Sequence, residues 1–258
     1  METYFDPELN PDPNVIYSII DIKKGDVTGD GTLDEVYLLG VQPSGGPGPN
    51  YFDDITAVII DGNSKKTTYL RFKYNSGYNP KLVLADFTGD KFMDIFINIK
   101  ATRKEERYFY YLFSAVNNNP KSLFNFVAFN EFSEYRVIYR DFYIIEVIGV
   151  NTNKIFLIDI RTKPKEYLSR MYGPDGKLIE PVIGDVLRLG NLFPIDVNDD
   201  GVLELLAFQR IVGEEPTDIL GYIQTFLTFN GTEFRPDLTL LGIEGKTADA
   251  QKLIKQNR

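Results

Sequence analysis

The chain has 258 residues, carries a net charge of −9 and contains neither His nor Cys. That composition excludes imidazole and thiol catalysis, disulfides and the usual zinc sites, and its acidic balance is the opposite of a nucleic-acid surface. Apolar residues make up 43%, enough for a core, while no apolar run reaches the roughly 18 residues of a membrane span. The first residues, METYFDPELNPDPNV, lack the basic-then-apolar pattern of a signal peptide.

The first patterned segment is GDVTGDGTLDEVYL (25–38), which crowds Asp26, Asp30 and Asp34 into nine residues and then runs into a strand. QPSGGPGPN (42–50) follows, a Gly/Pro loop read as an excursion between two strands. Together with residues 51–54 it is the first candidate contact segment, since long loops carry recognition. TAVIID (56–61) and TTYLRF (67–72) read as strands around the turn DGNSKK (61–66). ADFTGDKFMDIFINI (85–99) repeats the acidic pattern, with Ile95, Ile97 and Ile99 on one face of its strand. RYFYYLF (107–113) reads as a packed strand rather than a ligand platform, and SLFNFVAF (122–129) as another strand. FYIIEVIGVNTNKIFLIDI (142–160) is strand, turn and strand, with VNTN where the acids would stand. Arg161, Lys163 and Lys165 form a short basic stretch read as a solvated turn. YGPDGK (172–177) and FNGTEF (229–234) are hairpin turns, Pro174 fixing φ and Gly176 allowing it to be positive. Between them, IDVNDDGVLELLAF (195–208) is the third acidic copy. Only KTADAQKLIKQNR (246–258) looks helix-prone, with Thr247 as N-cap.

The first acids of the three copies, Asp26, Asp86 and Asp196, lie 60 and 110 residues apart. The second gap is nearly twice the first, so the motif-free segment 142–160 is expected to be a repeat between them. That gives four periods of roughly 45–65 residues, near the length of a propeller blade, with about four strand candidates in each. The expected fold is therefore all-β: a small β-propeller over residues 1–243, four-bladed with five blades as the alternative, followed by a polar tail over 244–258.

Calcium takes six to eight oxygens in a flexible cage. A nine-residue loop can supply side chains from positions 1, 3, 5 and 9 and the carbonyl of position 7. In the first loop these are Asp26, Thr28, Asp30, Asp34 and the Thr32 carbonyl. The second offers Asp86, Thr88, Asp90, Asp94 and the Phe92 carbonyl, and the third Asp196, Asn198, Asp200, Glu204 and the Val202 carbonyl. An EF-hand is excluded because its twelfth position, a bidentate Glu, is here Tyr37, Ile97 or Ala207.

The three segments resemble the FG-GAP or VCBS repeats of integrin-α-type propellers, with their D-x-[DN]-x-D-G-x-x-D calcium loops. The resemblance implies a propeller stabilised by two to three calcium ions, and its departures fall at Thr28, Thr88 and Lys91, the last replacing the turn glycine. Two functions compete. The first is a non-enzymatic binding or scaffold module for a protein or glycan ligand. Calcium loops favour an extracytoplasmic setting for it, at a bacterial cell or spore envelope. The alternative is a carboxylate-dependent glycosidase or lyase, for which Glu146, Asp159, Glu214 and Glu215 are candidates by residue type alone.

Overall fold

The computed structural model describes residues 5–6, 15–104 and 107–245, so the helix expected over 246–258 lies outside the described residues. Strands dominate, all paired antiparallel. The first sheet holds β1 (Phe5–Asp6), β2 (Ser18–Gly25), β3 (Asp34–Val41), β4 (Tyr51–Ile60), β5 (Thr67–Phe72), β6 (Gly77–Ala85), β7 (Asp94–Lys100), β8 (Tyr108–Ser114) and β9 (Lys121–Asn125). Its main path runs β1-β5-β4-β6-β7-β8-β9, with β3 on β4 and β2 on β3. Two meanders, β2–β5 and β6–β9, are thus joined where Tyr51 and Phe52 of β4 pair with Tyr78 and Gly77 of β6.

The second sheet holds β10 (Tyr135–Arg140), β11 (Ile144–Gly149), β12 (Ile155–Asp159), β13 (Ile183–Val186), β14 (Asn191–Ile195), β15 (Glu204–Val212), β16 (Ile219–Phe229) and β17 (Phe234–Gly242). Its path is β12-β11-β10-β13-β15-β16-β17, with β14 also on β15. β13 and β14 share one edge of β15 in succession, and β13 carries the hairpins of β10–β12 on its other edge.

Alternation places the core. In β3 every second residue is buried, Val36 and Leu38 completely. β7 is buried on both faces and holds Ile95, Phe96, Ile97 and Ile99, as expected of a strand at the centre of a sheet. Tyr110, Tyr111, Leu112 and Phe113 of β8 are buried as well, so the aromatic run is packed. One core cluster joins both meanders of the first sheet to Leu192, Leu205, Ala207, Leu227 and Phe234 of the second. A smaller one gathers β10–β12 with Ile211, Leu220 and Ile223. Strands β15 and β16 therefore serve one core near one end and the other core near the opposite end.

Two short helices correct the strand-only reading: α1 (Phe126–Phe132) and α2 (Lys165–Met171). The run SLFNFVAF is a strand only as far as Asn125, whose side-chain oxygen accepts from the Val127 and Ala128 N–H groups and starts α1 as an N-cap. The three hairpin turns form as expected. Asp61 N–H donates to the Lys66 carbonyl, Gly173 N–H to Lys177 and Asn230 N–H to Glu233, with Gly176 at φ +77°. Lys163 is not a solvated turn residue, because it reaches Asp218 at 2.9 Å. Residues 144–159 form the expected plain hairpin, but they do not lie between the second and third acidic loops, which touch each other directly. A closed ring of four blades in chain order is not what these contacts draw.

Candidate functional site

The three acidic loops follow one hydrogen-bonding plan. At position 1, the Asp26 carboxylate accepts from Gly29 and Gly31 N–H, Asp86 from Thr88, Gly89 and Lys91, and Asp196 from Asp200 and Gly201. At position 5, Asp30, Asp90 and Asp200 each accept from the N–H two residues on, at 2.8–2.9 Å. At position 9, Asp34, Asp94 and Glu204 reach back to the N–H of position 2. Asp34 goes further: it is fully buried and also accepts from Thr28 and Gly62 N–H, at 2.8 Å each. Burial pushes the Asp94 carboxyl up to about 7, against the Phe87 N–H that favours its charge, and the nearby Asp90 and Asp86 add to the rise. The turn itself needs a left-handed residue at position 6: Gly31 and Gly201 have φ of +85° and +86°, and Lys91 takes φ +72° in the same place.

The crowding of like charges thus has a compensation within the chain. Carboxylates that would repel one another each face backbone N–H groups, the donors a tight turn otherwise leaves unpaired. Among the described residues no group of three or more acidic side chains comes together in a way that could hold a metal ion. The acids that spacing assigns to calcium at positions 1, 5 and 9 close the loops as hydrogen-bond acceptors, whereas at position 3 the Thr28 and Thr88 hydroxyls are buried without a hydrogen-bond partner among the described residues and the Asn198 amide donates to Asp200.

The loops also dock on one another by a repeated contact. Met93 N–H, at position 8 of the second loop, donates to the Asp26 carbonyl at position 1 of the first, at 2.8 Å. Leu203 N–H, at position 8 of the third, donates to the Asp86 carbonyl of the second, at 2.9 Å. Position 4 explains how they come so close. A side chain on Gly29 would sit 3.1 Å from the Phe92 ring, and one on Gly89 would touch Val202 at 3.7 Å. In the third loop position 4 is Asp199, also left-handed at φ +61°. The position-2 residues Val27 and Phe87 are completely buried, whereas Val197 is 55% exposed. The stack ends there, with a charged residue where a further loop would need glycine, as terminal repeats require.

A cavity of about 700 Å³ lies elsewhere, on the half-buried face of β14–β16. Phe208 and Arg210 of β15 and Tyr222 of β16 form its floor, Arg210 directly opposite Tyr222 across the strand pair. Lys104 and Arg107 come from the β7–β8 connection, Arg188 from the β13–β14 bend, and Pro216 and Thr217 from the β15–β16 connection. Sequence reasoning missed this groove because its lining comes from distant segments and makes no motif. The acids considered for catalysis do not enter its lining. Glu146 is paired with Arg140 at 2.8 Å and Asp159 with Arg161 at 2.5 Å. The Gly/Pro loop 42–50 packs by its Pro47 and Gly48 near Tyr78 and Arg103.

A family model described as the YybI C-terminal domain matches residues 133–241, which is the second sheet from just before β10 to β17. The protein YybI of Bacillus subtilis (strain 168) is 39% identical over 228 residues, covering 87% of this chain and 86% of that protein. No solved structure matches the chain. These matches correct the resemblance to FG-GAP or VCBS repeats. The acidic spacing those repeats share is also what a self-bonded hairpin turn needs, so it does not by itself carry kinship. On the identity and coverage of this relative, the chain belongs to the YybI family.

Proposed function

We propose that the chain is a non-enzymatic binding module: the stacked loops hold three meanders as a rigid, blade-like array open at its ends, and the basic groove on that array does the recognising. The observation that carries this reading is the lining of the groove, with four cationic side chains, two aromatic rings and no carboxylate among the described lining residues. Carboxylate catalysis needs two acids with separated pKa values flanking one substrate, and no such pair stands among the described lining residues of the groove. Recognition passes in this reading from the 42–54 loop to the groove, whose residues come from several segments of the folded chain.

Calcium enters the proposal only as an added ligand of the loops, supported by the spacing of their oxygens. The loops already have acceptors for their own N–H groups, so the fold is expected to hold without it. A calorimetric melt of the full chain with calcium and with a chelator tests this. A ligand present at a hundredfold excess over its Kd adds about 2.7 kcal/mol to stability, so an ion that holds the loops would move Tm by several degrees. The expected change is smaller than about 2 °C. The binding reading is tested by a screen of glycoside, ester and phosphate substrates. Turnover that disappears on replacing Glu146, Asp159, Glu214 or Glu215 would overturn it.

A further inference from the structure

We propose that the outer face of β14–β17 is a self-association surface, on which a second copy of this chain packs face to face. The proposal does not depend on what the groove binds.

Strand register builds the surface. Phe193 of β14 stands opposite Leu206 of β15, Leu206 opposite Phe226 of β16, and Phe226 opposite Leu238 of β17, so one unbroken apolar row crosses four strands. In the next row Phe208 and Leu240 flank Gln224. The chain neighbours of these residues point the other way: Leu192, Leu205, Ala207, Thr225, Leu227 and Thr239 are buried. Leu192, Leu205, Ala207 and Leu227 belong to the core shared with the first sheet. By contrast Phe193, Leu238 and Leu240 are 50%, 48% and 41% exposed. An antiparallel sheet with one face in water alternates apolar-in with polar-out. Here the outward positions are apolar as well, so the sheet carries two apolar faces, and the described residues cover the inner one.

The size of the plate fits a dimer. Strand spacing and rise make it roughly 20 Å across the strands and 15 Å along them. That is about 300 Å² in projection, the scale of the largest apolar patches that a monomer leaves in water. A specific dimer buries about 800 Å² on each side, as an apolar centre within a polar rim. The two rows supply such a centre. Asn191, beside Phe208, and Thr228 and Arg235, in the row beyond Leu206 and Phe226, supply polar groups at its border.

A second copy matches this plate because its sheet has the same twist. Sheets of like hand pack face to face with their strands within about 30°, and a two-fold axis makes the two surfaces identical, apolar row against apolar row. Charge selects the axis. The third acidic loop, with Asp196, Asp199 and Asp200, joins β14 to β15 at one end of the plate. An axis along the strands would set the two acidic loops against each other. An axis across the strands sets each loop against the far end of the other plate and keeps the like charges apart.

Sedimentation velocity of the full chain over a concentration series is the test. A reversible dimer is expected, and Phe193→Asp and Leu238→Asp are each expected to raise its dissociation constant by about tenfold or more. Both residues are about half exposed, so circular dichroism and Tm should keep their wild-type values. Ile155→Asp is the control. Ile155 is 61% exposed but stands on β12, at the opposite edge of the same sheet, and this variant should dimerise as the unsubstituted chain does. A monomer at all concentrations up to about 100 μM overturns the inference and gives the face to another segment of the chain or to a different molecule. A dimer that survives both substitutions on the plate, or one that Ile155→Asp dissociates, overturns it too.

Discussion

Replacing Asp34 by Asn separates a loop closed by its own amides from one closed by an ion. The buried Asp34 carboxylate accepts from Val27 and Thr28 N–H on one oxygen and from Gly62 N–H on the other, all at 2.8 Å. An amide keeps one oxygen and turns its NH₂ towards an N–H, leaving one or two buried donors unpaired. At about 1–3 kcal/mol for each unpaired donor, the loss is roughly 2–4 kcal/mol. Asp30→Asn is the control: Asp30 is exposed and accepts only from Thr32 N–H, a bond the amide oxygen can retain. Its cost is expected within about 0.5 kcal/mol. A domain of this size loses roughly 2–4 °C per kcal/mol, so the two variants should differ by roughly 4–16 °C in Tm. Differential scanning calorimetry in a chelating buffer reads the difference. If both variants fall equally, or if the Asp34 effect appears only with calcium present, the amide account is wrong.

Three further outcomes follow from the same contacts. The Asp94 carboxyl, raised to about 7 by burial, holds a proton in the folded chain that the unfolded chain gives up near its ordinary value of 3.8. Its contribution is therefore present at acid pH and lost as pH rises through about 4 to 7, and Asp94→Asn should flatten that part of the urea midpoint against pH. Gly29→Ala meets both a left-handed φ and the Phe92 ring, whereas Gly31→Ala meets only the φ. The first should cost about 1 kcal/mol more than the second in chemical denaturation. Tyr110→Phe leaves the Gly190 carbonyl and Leu192 N–H without their shared partner. A loss of about 2 kcal/mol is expected, and a loss near zero would mean that water replaces the hydroxyl.

Much of this architecture could be read along the chain. Alternation located β7, the strand run after the first acidic segment located β3, turn residues located the hairpins at 61–66, 172–177 and 229–234, and the acidic spacing located three equivalent loops. What could not be read was which loop touches which. That depends on how near the position-8 N–H of one loop can approach the position-1 carbonyl of another, and counting residues between Asp86 and Asp196 suggested an intervening blade that the Leu203–Asp86 bond excludes. The meaning of the acids was ambiguous for a related reason: the same oxygens can face a cation, an N–H or both. α1 left a faint signal in Asn125, a capping residue ahead of an apolar run. The groove left none, since its lining residues meet only when distant segments of the chain converge.

The docking of the third loop on the second bears on where the chain can be cut. The hydrogen-bonded sheets divide near residue 133, where the family match also begins. The apolar interior does not divide there. Phe87 of the first sheet is completely buried and meets the Phe234 ring of the second edge-on at 6.2 Å, in the cluster that also holds Leu192, Leu205 and Leu227. A fragment beginning at the sheet boundary would keep every strand pairing of its own sheet and still bare one wall of this interior to water. Sheet boundary and autonomy of folding therefore part company in this chain, and the matched segment is a unit of descent more than a separable body.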